Sequence, residues 1–154
     1  MAKVKWRGHK FDAETAAMLR ELDKLVGPHV PIRPTQGSYS TGVAASAGTH
    51  SGGGACDLSV QGLSTTQVQL VVFLARRIGF AAWHRSPSEG PWGDHIHLIN
   101  KTCPDLAPAA ARQVAAYKAK RNGLANDKPD KHRALDAPYE STWDTYCANW
   151  PASK

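Results

Sequence analysis

The chain has no apolar run near the roughly 20 residues that a helix needs to cross a bilayer. Insertion into a membrane is therefore not expected. Its opening, "MAKVKWRGHKFDAETAAMLRELDKL", turns charged and amphipathic at once. It lacks the apolar core and small-residue cleavage site of a secretory signal. The expectation is a protein made in the cytoplasm that acts elsewhere only if another route releases it. Cysteine is scarce and odd in number: Cys56, Cys103 and Cys147. They lack the close pairing of a thiolate zinc site, and three cysteines exclude a fully paired disulfide framework. If a disulfide forms, it is expected to join Cys103 and Cys147, with Cys56 buried and inert. Zinc-finger spacing and RNA-binding aromatic signatures are missing as well. The net charge of +6 suits an anionic partner, with nucleic acid and an acidic cell-wall polymer as the candidates, and no nucleic-acid motif is found. The basic run "KAKR" at 118–121 reads as a solvated helix end.

A length of 154 residues suits a single domain with one core. A first helix is expected over residues 13–26, with Asp12 as N-cap and Gly27-Pro28 as its stop. Ser64-Thr65-Thr66-Gln67 fits a capping box. Val68, Val71, Val72, Ala75 and Ile78 then share one face of a second helix that Gly79 ends. "FAAWHR" (80–85) and "DHIHLI" (94–99) read as strands, and residues 108–121 as a third helix. The tail, residues 124–154, carries Tyr139, Trp143, Tyr146 and Trp150 and is expected to pack on the body. Helix, loops and strand, helix, two strands and helix together give an α+β domain with a small antiparallel sheet and flanking helices.

Chemistry concentrates in two places. "THSGGGACDLSV" (49–60) sets His50 and Asp57 six residues apart around three glycines, and "DHIHLI" places His95 and His97 on one face of a strand. Taken alone, His50 reads as a surface or structural histidine, and Asp94 as a turn cap. Together, His50, Asp57 and His97 have the donor chemistry of a catalytic zinc site, with three protein ligands and one open position. Asp94 and His95 then supply the acid–base and oxyanion-stabilising groups that hydrolysis needs. Gly52, Gly53 and Gly54 are expected to let the chain turn tightly between two ligands and to leave the cleft open. His9, His29, His84 and His132 lack partner spacing and read as structural or solvated.

"SAGTHSGGGACDLS" followed by "WGDHIHLI" resembles the LAS zinc peptidases, the group of lysostaphin, the D-alanyl-D-alanine carboxypeptidases and the Sonic hedgehog N-terminal domain. The likeness is nearest to the carboxypeptidase branch and covers residues 30–100. It implies a Hedgehog/DD-peptidase-like fold with one Zn²⁺ ion held by His50, Asp57 and His97. Asp94 would be the general base and His95 an auxiliary stabiliser; if the Asp94 carboxylate falls short, His95 inherits the role. "TQGSYSTGV" (35–43) matches a substrate-positioning loop, with Gln36 and Ser38 as contacts and Trp92 as a cleft wall. The implied function is hydrolysis of stem or cross-link peptides in bacterial peptidoglycan, by a monomer. The short chain without a leader points to a bacteriophage endolysin, made in the host cytoplasm and acting on the wall after release. A bacterial D,D-carboxypeptidase and a non-catalytic zinc-binding interaction domain of the same fold are the alternatives.

Overall fold

A computed structural model describes residues 2–135 and 139–150. The chain opens with a hairpin, β1 (Lys3–Trp6) and β2 (His9–Asp12), paired antiparallel. Its two-residue turn, Arg7-Gly8, has positive φ at both positions (48° and 82°), the geometry that matches the twist of tight hairpins. Asp12 ends β2 and caps α1 (Ala13–Val26), where its carboxylate accepts from the Thr15 backbone N–H at 3.0 Å. Gly27 stops α1 at φ 74°, as expected from the sequence.

A four-stranded antiparallel sheet forms the centre, in the order β3 (Pro34–Gln36), β4 (Ala55–Ser59), β6 (His95–Asn100), β5 (Phe80–Arg85). Between β4 and β5 runs α2 (Thr65–Ile78), whose Ser64/Gln67 capping box and buried Val68, Val71, Val72, Ala75 and Ile78 match the sequence reading. One apolar layer fills the space between the sheet and the first two helices; Leu58, Ala82, Ile96 and Leu98 point into it. A second layer lies on the opposite sheet face, where Trp83 and Ile99 meet Ala110, Val114 and Tyr117 of α3 (Pro108–Lys118). Helix α3 ends three residues earlier than expected, and Lys120 takes a left-handed φ of 62°. Two sheets and four helices thus make an α+β architecture among the described residues.

The tail adds a short helix that the sequence reading lacks, α4 (Trp143–Asn149), capped by Thr142. Tyr146 and Cys147 join the first apolar layer and Tyr139 the second, while Trp150 stays 44% exposed under the Arg77 guanidinium. Residues 136–138 and 151–154 of that tail lie outside the described residues. No disulfide joins Cys103 to Cys147. All three cysteines are buried thiols, and Cys103 sits instead against the glycine turn while Cys147 faces the first layer.

Candidate metal centre and its cleft

Strand register assembles the centre. Asp57 of β4 lies directly opposite His97 of β6, and directly opposed residues on one face are within side-chain reach. The Asp57 Oδ1 atom is 2.8 Å from His97 Nδ1 and 3.3 Å from His50 Nε2. Ligand atoms of all three residues lie within 4.8 Å of one another, so the group can hold a metal ion. His50 arrives from the loop before β4 and is buried, as is His97.

Each imidazole is fixed from behind. His50 Nδ1 lies 2.9 Å from the Gly37 carbonyl, which can only accept, so Nδ1 carries the proton. His97 Nε2 lies 2.7 Å from Gln113 Oε1 of α3 and donates to it. Both rings therefore turn a lone pair toward Asp57 Oδ1. Three lone-pair atoms facing one point repel unless a proton or a cation lies between them, which is the donor chemistry of a metal site with an oriented outer shell. Burial pushes the Asp57 carboxyl up, but the polar contacts and charge of the adjacent His50 and His97 rings overcome it and hold the group well below the usual carboxylate range. Burial lowers the His97 pKa against the opposing pull of Asp57. An ionised carboxylate and a neutral imidazole are the forms a cation needs.

The three residues lie at the floor of a cleft of about 490 Å³ whose wall includes Gln36, Trp92, Asp94, His95 and Gln113. His95 Nδ1 donates to the Gly93 carbonyl at 2.6 Å, so Nε2 is the unprotonated atom, 3.8 Å from Asp57 Oδ1. Asp94 lines the same cleft, but its Oδ1 is engaged by His84 Nε2. His84 is thus no bystander, contrary to the expectation from spacing. It opposes Ile96 across the β5–β6 pair, diagonal to Asp94. Gln36 faces the cleft with both ends of its amide committed, Nε2 to Ser40 Oγ and Oε1 to Ser46 Oγ. Ser38 stands apart from the cleft wall; it is buried and donates to the Ala55 carbonyl at 2.9 Å. The Trp92 indole N–H donates to the Ser86 carbonyl, and its ring meets His95 edge-on at 6.3 Å.

The glycines differ from their expected use. They do not line the cleft; they pass beneath residues 103–107. A Cβ on Gly52 would lie 2.3 Å from the Asp105 carbonyl oxygen, and one on Gly54, at φ 82°, would lie 2.7 Å from Leu106. The turn is held from the other side by Asp12, whose Oδ1 accepts from the Gly54 N–H at 2.9 Å. The residue that caps α1 therefore also anchors the loop between His50 and Asp57. Sequence reading missed Gln113, His84 and this second role of Asp12. No family model, curated protein or solved structure matches this chain.

Proposed function

We propose that the chain is a zinc peptidase of the Hedgehog/DD-peptidase-like fold that hydrolyses peptide bonds in the stem or cross-link peptides of bacterial peptidoglycan, as a phage endolysin does. The observation that carries this reading is the convergence of His50, Asp57 and His97 on one point at the floor of an open cleft, with His95 beside them. When bound, one zinc ion supplies a Lewis acid that polarises the scissile carbonyl and lowers the pKa of a coordinated water. Gly37 and Gln113 orient the two imidazoles for it.

Proton transfer falls to a residue with a free lone pair facing the reaction point. His95 offers one at Nε2, with the tautomer set by Gly93. It accepts the proton of the attacking water and returns it to the leaving amine. The geometry thus favours His95 for the role that the sequence gives to Asp94. Asp94, joined to His84, acts as the anionic edge of the cleft.

Chelation should abolish wall hydrolysis and added zinc should restore it. His95→Ala should keep zinc and lose on the order of 10²–10⁴-fold in turnover. Asp94→Asn should keep zinc and lose less, and His97→Ala should lose both metal and activity. A dead, zinc-loaded Asp94→Asn beside a near-wild-type His95→Ala would exchange the two roles. Hydrolysis that survives complete removal of metal would sink the zinc peptidase reading.

A further inference from the structure

Arg85 lies on the cleft face of β5, opposite His95 in the β5–β6 register, and forms part of the cleft wall. It is 3% exposed. Its Nη1 donates to the Asn122 carbonyl at 2.6 Å, and its guanidinium stacks over Trp83, 4.6 Å from the ring centroid. Nη2 is equally buried and has no acceptor among the described residues. Buried guanidinium groups are normally matched by a carboxylate, because an unpaired buried charge is costly.

The acids around Arg85 are all engaged elsewhere. Three carboxylates act on it electrostatically: Glu89, Asp57 and Asp130. Glu89 is paired with Lys131, at 2.6 Å. Asp130 is paired with Arg76, at 2.8 Å. Asp57 belongs to the two histidines of the metal centre. Burial accordingly draws the Arg85 pKa down to about 10, against the pull of those three acids. With a divalent ion on Asp57, the cleft floor carries a net positive charge that the protein itself does not balance.

We propose that Arg85 is the anion-recognition residue of this cleft, receiving a carboxylate of the substrate residue beside the bond to be cut. The guanidinium fork suits a planar carboxylate in two-point contact. Gly123 covers it closely, since a Cβ there would stand 3.2 Å from Nη2. Leu124, the next residue, belongs to the cleft wall, so a ligand carboxylate that reaches Nη2 from the cleft must move Gly123 aside. The choice of substrate rests on the peptidase reading; the choice of anion does not.

The test separates the two. N-acetyl-D-alanine and its amide are titrated into zinc-loaded protein and followed by NMR, with wild type, Arg85→Gln and Arg85→Lys compared at verified zinc content and folding. Wild type is expected to prefer the carboxylate on the order of 10–100-fold, the range of a charged hydrogen bond. Arg85→Gln should remove most of that preference, and Arg85→Lys, which keeps charge without the fork, should fall between. A preference that survives intact in Arg85→Gln belongs to the metal and overturns the proposal. So does a wild type that binds both ligands equally. Should Arg85→Gln fail to fold, an Arg85→Lys indistinguishable from wild type overturns it. In parallel, walls with amidated carboxylates should be cut more slowly by wild type but not more slowly by Arg85→Gln. Absence of all hydrolysis with the binding preference retained would reject the peptidase reading and keep the anion site.

Discussion

Gln113 is the side chain that the sequence gives least reason to notice and on which the orientation of His97 depends. It accepts from His97 Nε2 and so commits Nδ1 to Asp57. Outer-shell partners of this kind typically carry 10–100-fold in metal affinity. Gln113→Ala should lose zinc affinity by about that factor while the fold survives, measured by competition with a chelating dye; unchanged affinity would remove Gln113 from the site. The grouping of His50, Asp57 and His97 was itself legible. A six-residue interval and a shared strand face are local properties, readable without knowing the tertiary structure. Gln113 carries no such mark, because nothing in "ARQVAAYK" tells where the helix docks. His84 was illegible for a related reason: its diagonal to Asp94 exists only once β5 and β6 are in register. Arg85 reads in sequence as an ordinary strand cation, and only burial distinguishes it.

Among the elements, the two long helices with side-chain caps, α1 and α2, were the most legible. Asp12, Ser64 and Gln67 satisfy backbone groups within three residues of themselves, so their signal survives in the sequence. The β1–β2 hairpin was missed. Its strands are rich in lysine and only partly buried, and its turn is Arg-Gly rather than the Asn-Gly that announces such turns. Helix α4 has only seven residues and takes its place from packing on the first apolar layer. The glycines were recognised as a tight turn between His50 and Asp57, but not the segment they turn against. Their clearance is needed against the backbone of residues 105–107, which leads into α3. Gly52→Ala should therefore cost about 1–3 kcal/mol through overpacking, read as a lower denaturant midpoint at unchanged slope. It should also weaken zinc binding, because the same loop delivers His50. An alanine variant as stable as wild type would show that residues 105–107 yield freely.

At the scale of the whole molecule, the sheet divides its labour between faces. One carries the apolar layer under the first two helices. The other shares its area between the α3 layer and the cleft. The C-terminal segment is fastened across this body by buried polar contacts: Arg76 with Asp130, Tyr139 with Asp130, and Lys101 with the Tyr139 carbonyl. His132 belongs to this fastening and accepts from the His84 backbone N–H. Burial, then the charges of Lys131 and Arg76, push its pKa from 6.5 down to about 4, with His84 acting in the same sense and Asp130 opposing. Above pH 6.5 the folded and unfolded chains both hold this ring neutral. As pH falls from 6.5 toward 4, the unfolded chain takes up a proton that the folded chain refuses, so stability declines across that window. His132→Gln should flatten the decline in thermal midpoint over this range, and an unaltered slope would exonerate His132. The pairing of Asp57 with His97 has one more consequence. A slip of one residue between β4 and β6 would turn His97 into the apolar layer and present Ile96 or Leu98 to the cleft. Chains paired one step out of line would offer no third donor and forgo the free energy of metal capture. An ion held there would proofread the sheet, rewarding a single alignment of two strands whose key residues lie 40 positions apart.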